Sequence, residues 1–445
     1  MALDPADLTA LAARERIAAG ALSSVELTAA CLRRIAGREE SVQAWAFLDP
    51  DHALSQAEAL DRLRQTGRPI GPIHGLPVGV KDIVDTRDLP TENGACLDAG
   101  RRPSADAWVV ARLRAAGAVI LGKTVTTECA YLAPAKTRNP HDPSRTPGGS
   151  SSGSAAAVAS GMAPLAVGSQ TGGSTIRPAS FCGVVGFKPS FGLIPRTGVL
   201  CLAGALDTLG AFGRTVEDAA LLADVLAGHD PADPDTAPAT PPRILETAST
   251  DPPVTPLLAF VQTPAWSEIE PDCARGFAEL VEALGDRCDP VELPAVFAQG
   301  AIAHRRIALS EMAHNLRRYY ERGSGLLAPE TREAIEEGRR TTAADYLDAL
   351  DWRRRLGAGL DEIFDRYDAI VTPAAPGEAP AGLESTGSAA FNLLWSLTGV
   401  PAITLLLMTG ANGLPIGVQL VGRRGNDGRL LRTARWLVQT LAAAD

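Results

Sequence analysis

The first sixty-six residues place apolar side chains mostly at helical spacing. The pattern predicts a helix over residues 25–35, which Ser23 or Ser24 caps, and a second helix over residues 51–64. Residues 5–66 as a whole are therefore expected to be helical.

After residue 70 the pattern changes to short apolar runs that alternate with amphipathic segments. Apolar runs at 75–82 and 118–122 lie next to glycine and proline and are typical of buried strands, and a helix is predicted between them at 107–116. The same alternation predicts a loop at 134–153, a helix at 155–160, strands at 164–168, 368–372, 401–407 and 415–421, and a final helix at 427–441. Alternating strands and helices indicate an α/β fold.

We expect residues 1–445 to form a single large domain, with a central mixed β-sheet covered by helices on both faces. Residues 229–256 are rich in proline, aspartate and alanine and are expected to be an exposed excursion or a hinge. Residues 271–365 are expected to be mostly helical. Strands near both ends of the chain are expected to complete one sheet.

Charge and composition exclude several classes of function. The formal net charge of −10 argues against nucleic acid or anionic lipid as the main ligand. The longest apolar run, residues 402–408, is too short to span a bilayer, and the first residues do not resemble a secretory signal. Seven widely spaced cysteines without a CxxC pair predict neither disulfides nor a zinc site, so a cytoplasmic location is expected.

Lysine is rare in this chain. Only four of the 42 basic residues are lysines, namely Lys81, Lys123, Lys136 and Lys188. Arginine does not release its proton in a protein, whereas a buried lysine can, so a catalytic base made from a cation must be a lysine. The cluster of lysines indicates where to look for chemistry, although Lys123 and Lys188 are better interpreted as structural, strand-end or surface charges.

Two glycine-rich segments, residues 147–154 and 168–178, are suited to bind an anion with backbone N–H groups. Neither has the spacing of a phosphate loop or of a dinucleotide fingerprint. The remaining anion is the oxyanion of acyl transfer, because consecutive glycines let N–H groups approach a reacting carbonyl. Ser174 ends such a turn and is a candidate nucleophile.

A serine nucleophile needs a base. None of the six histidines lies in sequence beside either segment, except His141 in the preceding loop. Residues 149–153 match GxSxG around Ser151, but an α/β-hydrolase elbow needs a strand before it, and here a proline-rich loop precedes it. Lys81, at the end of an apolar strand, is the better candidate, since burial lowers the pKa of a lysine. Asp82 is expected to point to the opposite face.

These residues resemble the amidase signature family. The resemblance lies in residues 78–82, the run GGSSSGS at 148–154 and the run GSQTGGSTIRP at 168–178, in the family's order of a lysine and two serines 24 residues apart. It extends from the helices near residues 23–34 to the strand at 413–420. It implies the amidase signature fold, with a signature core at about 70–215 and a helical insert at about 271–365.

The resemblance also implies a role for each matching residue. Lys81 would be the base, Ser150 a proton relay that follows a cis peptide bond, and Ser174 the acylated nucleophile of a Ser–Ser–Lys triad. Thr171, Gly172 and Gly173 would form the oxyanion hole with Ser174, and Ser151 would support the hydrogen bonds of the relay. No metal and no organic cofactor is expected.

Two positions depart from the common family pattern. Gln170 stands where most members have aspartate, and Arg177 follows Ser174 by three residues instead of two. Both features are similar to the malonamidase-like branch, in which the matching arginine binds a substrate carboxylate. Ser151, Gln170 and Arg177 are therefore expected to contribute to substrate binding, with a structural ion pair as the alternative for Arg177.

The predicted function is hydrolysis of small-molecule amides through a Ser174 acyl-enzyme. A carbamate, anilide or ester hydrolase with the same triad is one alternative, and a glutaminase subunit of a tRNA-dependent amidotransferase, which needs partner subunits, is another. The helix near 301–320 does not resemble the glutamine-recognition region of that subunit. The expected partners are a small-molecule amide or carbamate and a second copy of the chain as a homodimer, with no nucleic acid and no membrane.

Overall fold

The strands of the protein join one sheet to which both halves of the chain contribute. The computed structural model describes residues 3–240 and 242–443, and within them there are eleven strands. They are β1 (Trp45–Leu48), β2 (Pro77–Lys81), β3 (Val119–Thr124), β4 (Leu165–Gln170), β5 (Val185–Lys188), β6 (Thr208–Gly213), β7 (Leu258–Val261), β8 (Cys288–Val291), β9 (Ala369–Pro373), β10 (Ala402–Thr409) and β11 (Pro415–Val421).

The sheet is mixed, and its order is β1-β3-β2-β4-β6-β5-β10-β11-β9-β7-β8. Strand β2 runs parallel to β3 and β4, and β7 runs parallel to β8 and β9. The strands between these two groups pair antiparallel. The expected single α/β domain with a mixed sheet and flanking helices is confirmed.

Helices cover the sheet, and several begin at residues that the sequence marks as caps. They are α1 (Ala10–Ala18), α2 (Ser24–Val42), α3 (Pro50–Gln65), α4 (Trp108–Ala115), α5 (Ser152–Ala159), α6 (Ile176–Cys182), α7 (Val216–Leu226), α8 (Ile244–Ala248), α9 (Pro271–Leu284), α10 (Gln299–Asn315), α11 (Arg317–Gly323), α12 (Pro329–Gly338), α13 (Ala343–Phe364), α14 (Ala390–Thr398) and α15 (Asp427–Ala442). Ser23 caps α2 in a reciprocal capping box with Glu26. No helix in the two described ranges combines the length and the apolar character that a bilayer span requires.

Besides β5 and β6, for which no range is predicted from the sequence, the structure differs from the sequence prediction at three short strands. Strand β1 interrupts the region 5–66 that was expected to be helical, and β8 lies inside the segment 271–365. Strand β7 follows the proline-rich stretch 229–256, which itself contains the short helix α8. Each of these strands has four residues, too few for a period-two pattern to be visible in the sequence.

Candidate active site

Two parallel neighbouring strands bring the predicted motifs together. Residues 78–80 of β2 pair in register with residues 165–167 of β4, so both strands end at the same edge of the sheet. Lys81 follows in β2 and Ser169 lies near the end of β4, and Lys81 Nζ donates a hydrogen bond of 2.8 Å to Ser169 Oγ. A lysine and a glycine-rich turn that are far apart in sequence therefore meet at one place.

Lys81 is fully buried, and its amine contacts three serine hydroxyls. Nζ lies 2.7 Å from Ser150 Oγ, 3.0 Å from Ser151 Oγ and 2.8 Å from Ser169 Oγ. Burial lowers the pKa of Lys81 to about 7, and the negative charge of Asp207 opposes that shift. A neutral amine has a lone pair, so near neutral pH Lys81 can take a proton from one of these hydroxyls.

The hydrogen bonds of the neighbouring serines distinguish Ser150 from Ser151. Ser151 Oγ donates to the carbonyl oxygen of Ser169 at 3.0 Å and accepts from its N–H at 3.1 Å. The single hydroxyl proton of Ser151 is therefore directed at β4, whereas Ser150 Oγ has no acceptor other than Lys81 within the described residues. The Gly149–Ser150 peptide is cis. Ser150 and Ser169 are thus the two hydroxyls in contact with Lys81 whose protons are not directed at the backbone.

Ser174 lies in the turn between β4 and α6 and is 8% exposed. It opens onto a cavity of about 480 Å³. The Ser151 N–H donates to the Ser174 carbonyl oxygen at 3.4 Å, which connects the two serine segments. Within the described ranges Ser174 Oγ makes no hydrogen bond. Catalytic hydrogen bonds often tighten only in the reacting complex, so the step from Ser174 to Ser150 stays a prediction.

The cavity has a mostly apolar wall and a few polar groups. Its polar side chains, besides Ser174, are Tyr131, Thr171, Arg177, Glu268, His304, Arg305 and Ser388. Its larger apolar side chains are Leu132, Leu202, Leu309, Met312 and Leu393. Glu268 accepts a hydrogen bond from Ser388, whereas the charge of Arg305 is paired with Glu337. A cavity of this size and lining is suited to a small organic substrate.

Gln170 is enclosed behind the turn and does not line the cavity. Its Oε1 accepts from the N–H groups of Thr175 and Ile176 at 2.9 and 3.0 Å, and its Nε2 donates to Ser396 Oγ at 3.0 Å. The structure therefore places Gln170 as support for the turn and for the start of α6. Ser151 is likewise buried and absent from the cavity wall.

Arg177 lies on the cavity wall with its guanidinium almost fully buried. Its Nη atoms donate to the carbonyl oxygens of Gly149 and Gly387, both at 2.7 Å, and to Thr386 Oγ1 at 3.1 Å. Burial lowers the pKa of Arg177 to about 10. No carboxylate among the described residues pairs with it, so the structural ion pair considered from the sequence is not formed. Its Nε has no hydrogen-bond partner there.

The other buried lysines lie outside the site. Lys123 Nζ donates to the Val84 carbonyl oxygen at 2.7 Å and lies 3.4 Å from a carboxylate oxygen of Asp82. Lys188 Nζ donates to the Val400 carbonyl oxygen at 2.6 Å. Both are structural, as expected, but they are fully buried and are not surface charges. Asp82 therefore forms an ion pair with Lys123, and within the described residues Lys81 has no ion-pair partner.

Sequence reasoning missed three residues that contact the Thr171–Ser174 turn. Thr171 Oγ1 donates to Asp207 at 2.5 Å, His304 Nε2 lies 2.9 Å from the Thr171 carbonyl oxygen, and Ser396 Oγ donates to the Gly172 carbonyl oxygen at 2.5 Å. His304 lies in α10 and Ser396 in α14, both far from the turn in sequence. No local motif marks them, because their contacts with the turn arise only from the packing of α10 and α14 against it.

Comparison with known proteins gives one consistent family. The profile of the Amidase family matches residues 26–431. A glutamyl-tRNA(Gln) amidotransferase subunit from Chloroflexus aurantiacus is 36% identical over 472 residues, which cover 96% of this chain and 95% of the relative.

Solved structures agree with this family. An inhibitor-bound structure from a vestigial protein complex, linked to the evolutionary origins of an s-triazine catabolic enzyme, has a TM-score of 0.91 at 28% identity and covers 97% of this chain and 98% of its own. The peptide amidase of Stenotrophomonas maltophilia has a TM-score of 0.85 at 32% identity, and the match covers 98% of this chain and 97% of that one.

The comparisons correct the prediction about partners. It expected a small-molecule substrate, no nucleic acid and at most a second copy of the chain, whereas the curated relatives are subunits of an amidotransferase named for glutamyl-tRNA(Gln). Net charge misled the prediction, because it describes the surface of one chain and carries no information on other subunits. These relatives do not specifically support the malonamidase-like branch either.

The profile match, the relatives and the fold therefore lead to the same conclusion: the chain belongs to the Amidase family, that of the amidase signature amidohydrolases, and is an enzyme that hydrolyses amide C–N bonds.

Proposed function

We propose that the chain hydrolyses a carboxamide through an acyl-enzyme on Ser174. Neutral Lys81 takes the proton of Ser150 while Ser150 takes that of Ser174, and Ser174 Oγ bonds to the carbonyl carbon. The C–N bond then breaks, and the relay returns the proton to the leaving nitrogen. Water attacks the acyl carbon by the same relay and releases the acid. The observation that supports this most directly is the 2.7 Å contact of a buried, low-pKa lysine with Ser150.

The N–H groups of the turn Thr171–Ser174 are proposed to bind the oxyanion. The turn lies between the end of β4 and the start of α6, and Gly172, Gly173 and Ser174 all line the cavity. Backbone donors aimed at a developing oxyanion are worth roughly 3 kcal/mol each in the transition state. We propose that Arg177 faces the acyl part of the substrate.

We propose further that this chain is the glutaminase-type subunit of an amidotransferase and frees ammonia from glutamine for use by partner subunits. The curated relatives support this, because the match covers 95% of the Chloroflexus protein, almost end to end. Glu268 on the cavity wall also supports it, since its negative charge suits the α-ammonium group of an amino acid, whereas Arg305 is already paired with Glu337.

A second candidate is hydrolysis of an anilide, carbamate or ester, as considered from the sequence. The specific observation in its favour is the mostly apolar lining of the cavity. The wall around Met312 and Leu393 would accept an aryl or alkyl group.

Of the seven cysteines, all free in the structure, five are buried, and we accordingly place the enzyme in the cytoplasm.

The test measures ammonia release from glutamine and turnover of an anilide, an aryl carbamate and an ester. Each substrate is tried with the chain alone and with the chain co-expressed with amidotransferase partner subunits encoded in the same genome. The nucleophile is tested with Ser174→Ala and the relay with Ser150→Ala. Ser152→Ala is the matched control, because Ser152 belongs to the same serine run but makes only one weak contact of 3.5 Å, to the Val125 carbonyl oxygen.

We expect Ser174→Ala and Ser150→Ala to lose at least about 1,000-fold in kcat/KM, and Ser152→Ala to stay within a few-fold. Full activity in Ser174→Ala would overturn the acyl-enzyme. Glutamine turnover that appears only with partner subunits supports the amidotransferase proposal, and fast anilide or carbamate turnover by the chain alone, with none on glutamine, replaces it by the second candidate.

A further inference from the structure

The peptide groups of the Thr171–Ser174 turn are held by hydrogen bonds at their carbonyl oxygens. The Thr171 oxygen is contacted by His304 Nε2 at 2.9 Å, and the Gly172 oxygen accepts from Ser396 Oγ at 2.5 Å. The Gly173 oxygen accepts from the Arg177 N–H at 2.9 Å. In a trans peptide the C=O and the following N–H point in opposite directions. Each contact therefore fixes the direction of one N–H proposed for the oxyanion hole.

Two of these three contacts come from side chains on other helices. His304 lies in α10 and fixes the N–H of Gly172, and Ser396 lies in α14 and fixes the N–H of Gly173. Helix α14 approaches the turn so closely that a Cβ at Gly173 would lie 2.4 Å from Asn392 Oδ1. The turn thus depends on two elements that follow it at a long distance along the chain.

The hydrogen on His304 has a defined place. A carbonyl oxygen only accepts, so Nε2 of His304 must carry the proton that it shares with Thr171. The neutral tautomer with the proton on Nε2 satisfies this contact. Burial lowers the pKa of His304, which disfavours the imidazolium and agrees with that tautomer. His304 is therefore a fixed donor to the backbone of the turn.

The hydrogen on Ser396 is directed by Gln170. The Oε1 of Gln170 accepts two backbone N–H groups, so its amide orientation is fixed and Nε2 must donate to Ser396 Oγ. The one proton of Ser396 is then available for the Gly172 oxygen. A carboxylate at position 170 would instead accept that proton and take it away from Gly172.

We propose that His304 and Ser396 are positioning residues of the oxyanion hole, and that Gln170 sets the direction of the hydrogen-bond chain through Ser396. The inference rests on the proposed function, because it assigns the turn to oxyanion binding. Neither side chain acts on the substrate by itself in this role; each holds a peptide group whose N–H does.

The test uses the rate at which an alkyl fluorophosphonate reacts with Ser174. In this reaction a Ser174 Oγ–P bond forms, the P–F bond breaks, fluoride leaves and the relay takes the serine proton, while the phosphoryl oxygen needs the oxyanion hole. The rate constant is followed by intact mass and does not depend on the natural substrate. It is also independent of the fraction of folded protein, so loss of folded material does not imitate a positioning effect.

Ser396→Ala and His304→Phe remove the hydrogen-bond donor at their positions, whereas Ser396→Thr and His304→Gln each keep a donor there. Gln170→Glu tests the direction of the chain. Thr398→Val is the matched control, because Thr398 lies on the same helix and donates to the Leu394 carbonyl oxygen within it. We expect rate constants to fall about 10- to 100-fold in Ser396→Ala, His304→Phe and Gln170→Glu. This is less than the loss in rate of about 100- to 1,000-fold that follows removal of an entire oxyanion donor, because the N–H groups remain in place. Ser396→Thr, His304→Gln and Thr398→Val should stay within a few-fold of the parent.

Rate constants within twofold of the parent in both Ser396→Ala and His304→Phe would overturn the proposal. The same result in Gln170→Glu alone would overturn the direction of the chain. Failure of the proposed function would give a different result. The fluorophosphonate would then label a residue other than Ser174 in the parent protein, and the Ser174→Ala variant would still react.

Discussion

At the scale of single residues, the site depends on a lysine that is kept neutral by burial. Lys81 meets three hydroxyls and no ion-pair partner among the described residues, and its pKa is lowered to about 7. The nearest acidic neighbour in sequence, Asp82, is engaged by Lys123 instead. Asp82 thus pairs with a different cation, and the charge that opposes the lowered pKa of Lys81 is that of Asp207.

We expect kcat/KM to rise about tenfold per pH unit below pH 7 and to level off above it, because only the deprotonated amine of Lys81 accepts a proton. The measurement is a pH profile on any substrate that the chain turns over. Lys188→Met is the matched control: the pKa of Lys188 is also lowered to about 7 by burial, but it lies outside the site, so its loss should leave the profile unchanged. Activity that falls as the pH rises from 6 to 8 would contradict the assignment.

At the scale of elements, small residues allow α5 to begin directly against the sheet. The first turn of α5 contains Gly153, where a Cβ would lie 2.2 Å from the Ala44 carbonyl oxygen and 2.3 Å from the Val125 nitrogen. The serine run preceding this glycine can reach Lys81 only because the helix comes this close. The small residues of the motif are therefore a packing requirement as well as a chemical one.

We expect Gly153→Ala to lower the free energy of unfolding by several kcal/mol and to abolish activity, since backbone atoms must move to admit the methyl group. Gly37→Ala is the control. Gly37 lies within α2 with open space around it, and there alanine should stabilise by about 0.5–1 kcal/mol. Urea unfolding of both variants checks the pair; equal stabilities would show that α5 does not need this close approach.

The sequence predicted those elements whose pattern is local. Strand β2, helix α4 and the final helix α15 are within a few residues of their predicted ranges, because their apolar spacing is complete within the segment. Strands β1, β7 and β8 were missed, since each is four residues long and depends on pairing with distant strands.

In the site, too, residues in local motifs could be predicted from the sequence, whereas residues placed by distant contacts could not. Lys81, Ser150 and Ser174 lie in glycine-rich or strand-end motifs that are visible in the sequence, and the structure brings them to one edge of the sheet. Gln170 was expected at the substrate but lies behind the turn, because a side chain's direction at a strand end is set by the fold. His304 and Ser396 have no local signal at all.

At the scale of the whole molecule, buried ionisable groups make stability depend on pH. Burial lowers the pKa of Lys81 and of Lys188 to about 7 and that of Lys123 to about 8, so above pH 7 the folded chain binds fewer protons than the unfolded chain. Unfolding then takes up protons, and stability rises with pH. Buried thiols act in the opposite direction above about pH 9, because burial raises the pKa of Cys31 and Cys273 to about 12.

We therefore expect the free energy of unfolding to increase between pH 7 and pH 8.5, by at most about 4.1 kcal/mol per pH unit for three protons, and to decrease above about pH 9.5. Urea midpoints at pH 7, 8.5 and 10 measure this. Lys188→Met should remove about 40% of the increase, and an unchanged slope in that variant would show that Lys188 does not take up a proton on unfolding.

The burial of three of the four lysines also determines how the protein reacts with amine-directed reagents. Lys81, Lys123 and Lys188 are enclosed, whereas Lys136 is exposed in the loop before the serine run. At pH 8 a succinimidyl ester should modify Lys136 as the single lysine of the folded enzyme, and peptide mapping would detect any other. Apart from the α-amino group of the chain, one reaction without engineering would thus attach a dye, a cross-linker or a solid support at Lys136, and a partner subunit that covers this loop would block it.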